Sequence, residues 1–233
     1  MNAKSWIATG CLLGATTLGW AQPSAAPQNV LQLQATGTVE VQQDLLQLNL
    51  TTAREGTDPN LVQTQLKTAL DAALTEARKQ AQPSQLDVRT GNFALYPRHN
   101  REGKISGWTG TAELILEGRD FGRITQTAGR IPSMTLGGVS FGLSREQRAK
   151  VEADAQTIAI ERFKFKAGEL AKGFGFSGYT LREVAVNANE PGFTPRPRMM
   201  AMEAKVASAD SSVPVEAGKS VVTVTVSGSV QLR

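Results

Sequence analysis

The chain has almost no cysteine and almost no histidine: one of each in 233 residues. Cys11 lies in an apolar stretch near the start, so the remainder carries no thiol. Neither a disulfide framework nor a thiolate metal site can be built from it. His99 is the single imidazole. Aromatic residues make up only 6% of the chain, and positive charge is scattered, as at Arg54, Arg78, Arg89, Arg119 and Arg130. Without a dense basic stripe or an aromatic platform, the pattern speaks against nucleic-acid binding. After the first 21 residues no apolar run reaches the roughly 20 residues a spanning helix needs, so no transmembrane segment is expected in the mature chain.

What is present at the start reads as an export signal over residues 1–21. Lys4 supplies a short positive region, residues 6–19 are apolar and uncharged, and Gly19-Trp20-Ala21 puts small residues at the −3 and −1 positions of a cleavage site. Ala8-Thr9-Gly10-Cys11 faintly resembles a lipoprotein cleavage site, but the apolar run follows the cysteine instead of preceding it, so a lipid anchor is the lesser reading. A cleaved, periplasmic protein is expected, with the outer-membrane face as its alternative place. The formal net charge of +4 falls to +3 with Lys4 removed, a surplus that solubility explains. Lacking cysteine in an oxidising compartment, the fold must rest on its core, for which the length suffices.

Residues 22–29 are polar with two prolines, a disordered mature N-terminus; residues 30–233 are expected to form the folded domain. Leu31, Leu33 and Ala35, then Val39 and Val41, then Leu46, Leu48 and Leu50 recur at every second position, the signature of half-buried strands. Asp58-Pro59 marks a helix start, and Val62, Leu66, Ala69, Leu70, Ala73 and Ala77 continue it to about residue 81. Strands are predicted over 86–96, closed by Pro97, and over 105–117, where Glu113 and Glu117 take the solvent side. A short helix over 121–131 and a strand over 134–143 follow. Ser144 and Gln147 form a capping-box pattern opening the longest helix, whose stripe reads Val151, Ala155, Ile158, Phe165 and Leu170, with Ala159 and Phe163 beside it. Glycines 173 and 175 end it, and a strand occupies 179–187. Residues 189–217 turn to proline, methionine, alanine and serine, a mobile surface insertion. The closing strand, 219–232, alternates valine with threonine and serine; it is either central in its own sheet or covered by another subunit. The sum is an α+β fold, with antiparallel-rich sheets packed against two long helices.

Two motifs imitate catalytic or nucleotide sites. Gly138-Val139-Ser140-Phe141-Gly142 matches G-x-S-x-G, but that mechanism needs a histidine after the serine, and His99 precedes Ser140. Gly173-Phe174-Gly175-Phe176-Ser177-Gly178 matches G-x-G-x-x-G, yet follows a helix instead of opening one, so it offers carbonyls where a pyrophosphate needs N–H groups. Met199, Met200 and Met202 are the candidate metal ligands, since thioethers select Cu(I); they also oxidise reversibly. Against this stands the plain reading of methionine as filler for a flexible, mildly apolar loop. No catalytic residue and no cofactor is assigned.

Gly137-Gly138-Val139-Ser140-Phe141-Gly142-Leu143-Ser144, followed by a helix bearing Ala153, Ala159, Lys166-Ala167, Leu170-Ala171 and Phe174-Gly175, resembles the SIMPL-domain family, which includes periplasmic immunogenic proteins of Gram-negative bacteria. The Ala35-Thr36-Gly37-Thr38-Val39 strand and the closing valine strand fall where that family has them. Phe163, Phe165 and Phe174 are bulkier than its alanine-rich helix. The resemblance implies an α+β fold, export, self-association and an association with oxidative-stress tolerance; it supplies no catalytic residues. The expected function is therefore a non-enzymatic homo-oligomerising or envelope-protein-binding module. The rival is a stress protein that binds copper or a small molecule through the methionine loop.

The export reading is checked by N-terminal sequencing of envelope-fraction protein, where a new terminus at Gln22 is expected; cytosolic protein still beginning at Met1 contradicts it.

Overall fold

The computed structural model describes residues 28–188 and 215–233. The expected signal, most of the polar stretch after it, and most of the insertion, including Met199, Met200 and Met202, lie outside the described residues. In chain order the elements are β1 (Val30–Gln42), β2 (Leu45–Gly56), α1 (Pro59–Arg78), β3 (Asp87–His99), β4 (Ile105–Gly118), α2 (Phe121–Gly129), β5 (Thr135–Gly142), α3 (Arg145–Gly173), β6 (Tyr179–Ala188) and β7 (Lys219–Leu232). They make an α+β fold with two antiparallel sheets, ordered β3-β4-β2-β5 and β1-β7-β6.

On the four-stranded sheet, Leu46, Leu48 and Leu50 of β2 and Ala112, Leu114 and Leu116 of β4 form one buried face. The face is covered by α1 through Val62, Leu66, Leu70, Ala73 and Ala77, and by α2 through Ile124 and Ala128. Asp58 caps α1 by accepting the Asn60 N–H at 2.8 Å, with Pro59 at the first turn, where a missing N–H costs nothing. Asp120 caps α2 by accepting the Arg123 N–H at 2.9 Å. That bond, acting against desolvation and joined by Arg123's side chain, holds the Asp120 carboxyl below the ordinary carboxylate range.

The strand expected to stop before Pro97 instead runs through it to His99. The reason is position: β3 is an edge strand, where a residue without an N–H need not break a ladder.

The three-stranded sheet lies under α3. The buried residues of α3 are Val151, Ala155, Ala159, Phe163, Ala167 and Ala171, spaced four apart throughout. This corrects the predicted stripe: Phe165 is 72% exposed, and Ile158 and Leu170 are only half-buried. A row of every fourth residue winds slowly about the helix axis, and so can follow a twisted sheet. Its first residue packs with Leu143, Val222, Val39 and Val41, and the rest with Leu33, Val224, Val226, Val230 and Leu232. The small side chains bring helix and strand so close that a Cβ at Gly37 would lie 1.9 Å from the Ala155 carbonyl oxygen and 2.6 Å from the Ala159 nitrogen.

Asp44, between β1 and β2, ties the two halves together. Its carboxylate accepts the Ser144 N–H at 2.7 Å and the Ser144 hydroxyl at 2.6 Å, while that hydroxyl oxygen accepts the Gln147 N–H at 3.2 Å. In a capping box the return bond to the cap N–H comes from the third helical residue. Here Asp44, 100 residues away, supplies it.

Gly37→Ala is expected to destabilise the fold by about 3 kcal/mol, the upper part of the usual overpacking cost, because backbone must move. Gly138→Ala, with no heavy atom within 4 Å of the new Cβ, should stay within about 0.5 kcal/mol. Urea denaturation of both variants checks the contrast.

Candidate interaction surface

Ser140 is a half-buried residue within β5, paired with Gln47. His99 ends β3, at the opposite edge of the same sheet. Three inter-strand spacings of about 4.8 Å put roughly 14 Å between those strands, far beyond hydrogen-bond reach. The G-x-S-x-G residues are therefore strand, not a nucleophile turn. In the other glycine motif, Gly175 has φ +83°, the Phe176 N–H donates to the Ala171 carbonyl and the Gly175 N–H to that of Lys172, both at 2.9 Å. This is a Schellman helix end, as its position after the helix predicts.

Several other charged groups have structural partners. The Glu113 carboxylate accepts the Asn92 N–H at 3.1 Å where β3 is irregular, in space that only a residue without a Cβ at position 91 leaves free. Glu117 accepts from Arg89 at 3.1 Å. The Lys219 amine is held above its ordinary range by its hydrogen bond to Glu40, a pair that joins the ends of β1 and β7. His99 is exposed beside the Asn100–Lys104 turn. Among the described residues no three His, Cys, Asp or Glu side chains converge on one point.

The distinctive surface is on the three-stranded sheet. One face is polar: Gln32, Gln34, Thr36 and Thr38 of β1 lie beside Ser229, Ser227, Thr225 and Thr223 of β7. A shallow open depression of about 410 Å³ on it is lined by Gln32, Gln34, Glu183, Ser227 and Ser229. The other face meets α3, but the helix packs over β1 and β7 and reaches β6 only slightly. Leu181, Val184 and Val186 of β6 share the helix-side face with Val230, Gly228 and Val226. They are nevertheless 52%, 45% and 46% exposed. Sequence reading found the strand but not this row, because its spacing is three and then two. The cause is a bulge between Leu181 and Glu183 that makes Arg182 an extra residue; such a broken alternation is the signal available in the sequence.

The four sheet edges differ. On β1, Arg162 of α3 donates to the Thr36 carbonyl at 2.8 Å and Lys166 to the Gln34 carbonyl at 3.3 Å, blocking the edge. On β3, Pro97 and two irregularities interrupt it. β5 has eight residues, a glycine pair and a register shift opposite Asn49 and Leu50. β6 is ten residues long with one bulge, and among the described residues no strand or side chain covers its outer edge. The valine-rich β7, which sequence left either central or covered by a subunit, is central between β1 and β6. Its own chain satisfies it, so it supplies no argument for association.

The sequence profile of the SIMPL family, described as a protein of unknown function (DUF541), matches residues 31–230. This chain belongs to the SIMPL family. No curated protein matches it. Among solved structures, a crystal structure of AtUAH in complex with glyoxylate is 13% identical with a TM-score of 0.24, the match covering 55% of this SIMPL chain and 34% of that one. The SIMPL chain thus spans about a third of that protein's length.

Val186 and Val226 are cross-strand neighbours on one face, yet Val226 is 2% exposed. Val226→Thr buries a hydroxyl and should cost about 1–3 kcal/mol. Val186→Thr leaves its hydroxyl in water and should cost under about 0.5 kcal/mol. Thermal unfolding of the two variants reads the difference.

Proposed function

We propose that this SIMPL protein is a non-catalytic interaction module of the cell envelope, exported to the periplasm and self-associating there. The observation that carries the reading is β6, a sheet edge that no strand among the described residues covers and whose helix-side face shows Leu181, Val184 and Val186 to solvent. A long, partly apolar free edge is a template for strand addition, in which main-chain hydrogen bonds give affinity and alternate side chains give specificity. The distance between Ser140 and His99 supports a non-catalytic role, since the G-x-S-x-G match lacks a base within reach. The family resemblance extends the proposal to oxidative-stress tolerance.

Sedimentation of the mature protein at micromolar concentration should show species above the monomer, or cross-linking in envelope extracts should yield a defined adduct through β6. A monomer that forms no adduct overturns the proposal. Esterase activity lost in Ser140→Ala overturns its non-catalytic part.

A further inference from the structure

Resting on the reading of this chain as a self-associating module, we infer that β6 pairs antiparallel with β6 of a second copy about a two-fold axis, Arg182 of each standing opposite Glu183 of the other. Each copy's three-stranded sheet then becomes half of one continuous sheet.

The pattern of faces selects this register. Tyr179, Leu181, Val184 and Val186 share the helix-side face, paired with Leu232, Val230, Gly228 and Val226. Thr180, Glu183 and Ala185 share the polar face, paired with Gln231, Ser229 and Ser227. Arg182 belongs to the polar face too, because its guanidinium reaches the Gln231 amide oxygen at 3.4 Å. The order of faces therefore reads the same in both directions from the point between Arg182 and Glu183. An antiparallel second copy centred there sets Leu181 opposite Val184, Tyr179 opposite Val186, Thr180 opposite Ala185 and Arg182 opposite Glu183. Apolar meets apolar on one face and polar meets polar on the other. Shifting the second copy by one residue opposes residues from different faces, as one-residue slips do.

Charge agrees with this choice. Arg182 and Glu183 are the two charged residues of β6, and both are exposed. The two-fold axis uses each twice, making two opposite-charge pairs, whereas like charges directly opposite one another are destabilising. An isologous contact needs a self-complementary surface of this kind.

The test exchanges the charges. Arg182→Glu alone places four carboxylates across the seam, and Glu183→Arg alone places four guanidinium groups there. Each variant should weaken self-association by about tenfold or more in sedimentation equilibrium. The double variant Arg182→Glu/Glu183→Arg should restore it. Mixing the two single variants should give a heterodimer, because one copy's carboxylates then face the other's guanidinium groups. Circular dichroism is expected to match the wild type throughout, since all the changes are at exposed positions. Wild-type assembly that neither single variant weakens, or weakening that neither the double variant nor mixing repairs, overturns this register and leaves the interaction-module reading standing. A wild-type protein that stays monomeric overturns the register too.

Discussion

The seating of α3 on Gly37 decides the rest of the three-stranded half. No side chain separates helix from strand there: any Cβ at position 37 would overlap the Ala155 carbonyl and the Ala159 nitrogen. A helix drawn this close to β1 is centred over β1 and β7. Its buried row of four alanines, one valine and one phenylalanine is too short in side chain to hold the helix further across the sheet. Two consequences follow from one contact. The near side of α3 brings Arg162 and Lys166 over the carbonyls of β1 and closes that edge. The far side stops short of β6, and that strand keeps an apolar face in water.

A fold without disulfides among its described residues must fix its two halves by other means. The chain crosses between the sheets at residues 42–45 and again at 142–144, and the two crossings are bonded to each other. Asp44 donates its N–H to the Gly142 carbonyl at 3.1 Å while its carboxylate accepts from Ser144. Gln43 donates to the Gly218 carbonyl at 3.0 Å. These bonds join segments about a hundred or more residues apart in sequence. Hydrogen bonds to a charged carboxylate are among the stronger ones, and they also complete the N-terminal cap of the longest helix. The end of the chain is held in the same manner, with Gly178 and Arg233 exchanging N–H to carbonyl bonds in both directions at 3.0 and 2.9 Å.

Local chemistry made much of this legible in the sequence. Asp58-Pro59, Ser144 and Gly175 each act through atoms of their own or neighbouring residues, and each marks a helix end as read. The alternation of β2, β4 and β7 likewise reports one buried face per strand. What failed is what depends on distant parts of the chain. The apolar spacing of α3 includes Phe165 because sequence reports hydrophobicity and not distance to the sheet, whereas the buried row is set by how closely β1 approaches. Pro97 looked like an end because its tolerance depends on β3 lying at an edge. Whether β7 was central could not be read from β7 itself; it is settled by β1 on one side and β6 on the other. The interaction surface was hidden for the same reason, since exposure of β6 follows from where α3 stops.

The one gap in the valines of β7 has its explanation in the neighbouring strand. Gly228 stands on the helix-side face, between Val226 and Val230, where the pattern calls for another apolar side chain. It is paired with Leu33 on one side and Val184 on the other. A Cβ there would lie 2.2 Å from the Glu183 carbonyl oxygen and 3.1 Å from the Val184 Cα. The glycine and the bulge of β6 therefore require each other: the extra residue Arg182 presses the β6 backbone toward β7, and only a residue without a side chain leaves room. The bulge in turn resets the alternation of β6, since an added residue exchanges the two faces beyond it. Without that reset Val184 and Val186 would point to the polar face, among the threonines and serines, and Glu183 would point toward the helix side. One missing side chain on the central strand thus permits the irregularity that keeps the edge strand's apolar residues together on a single face.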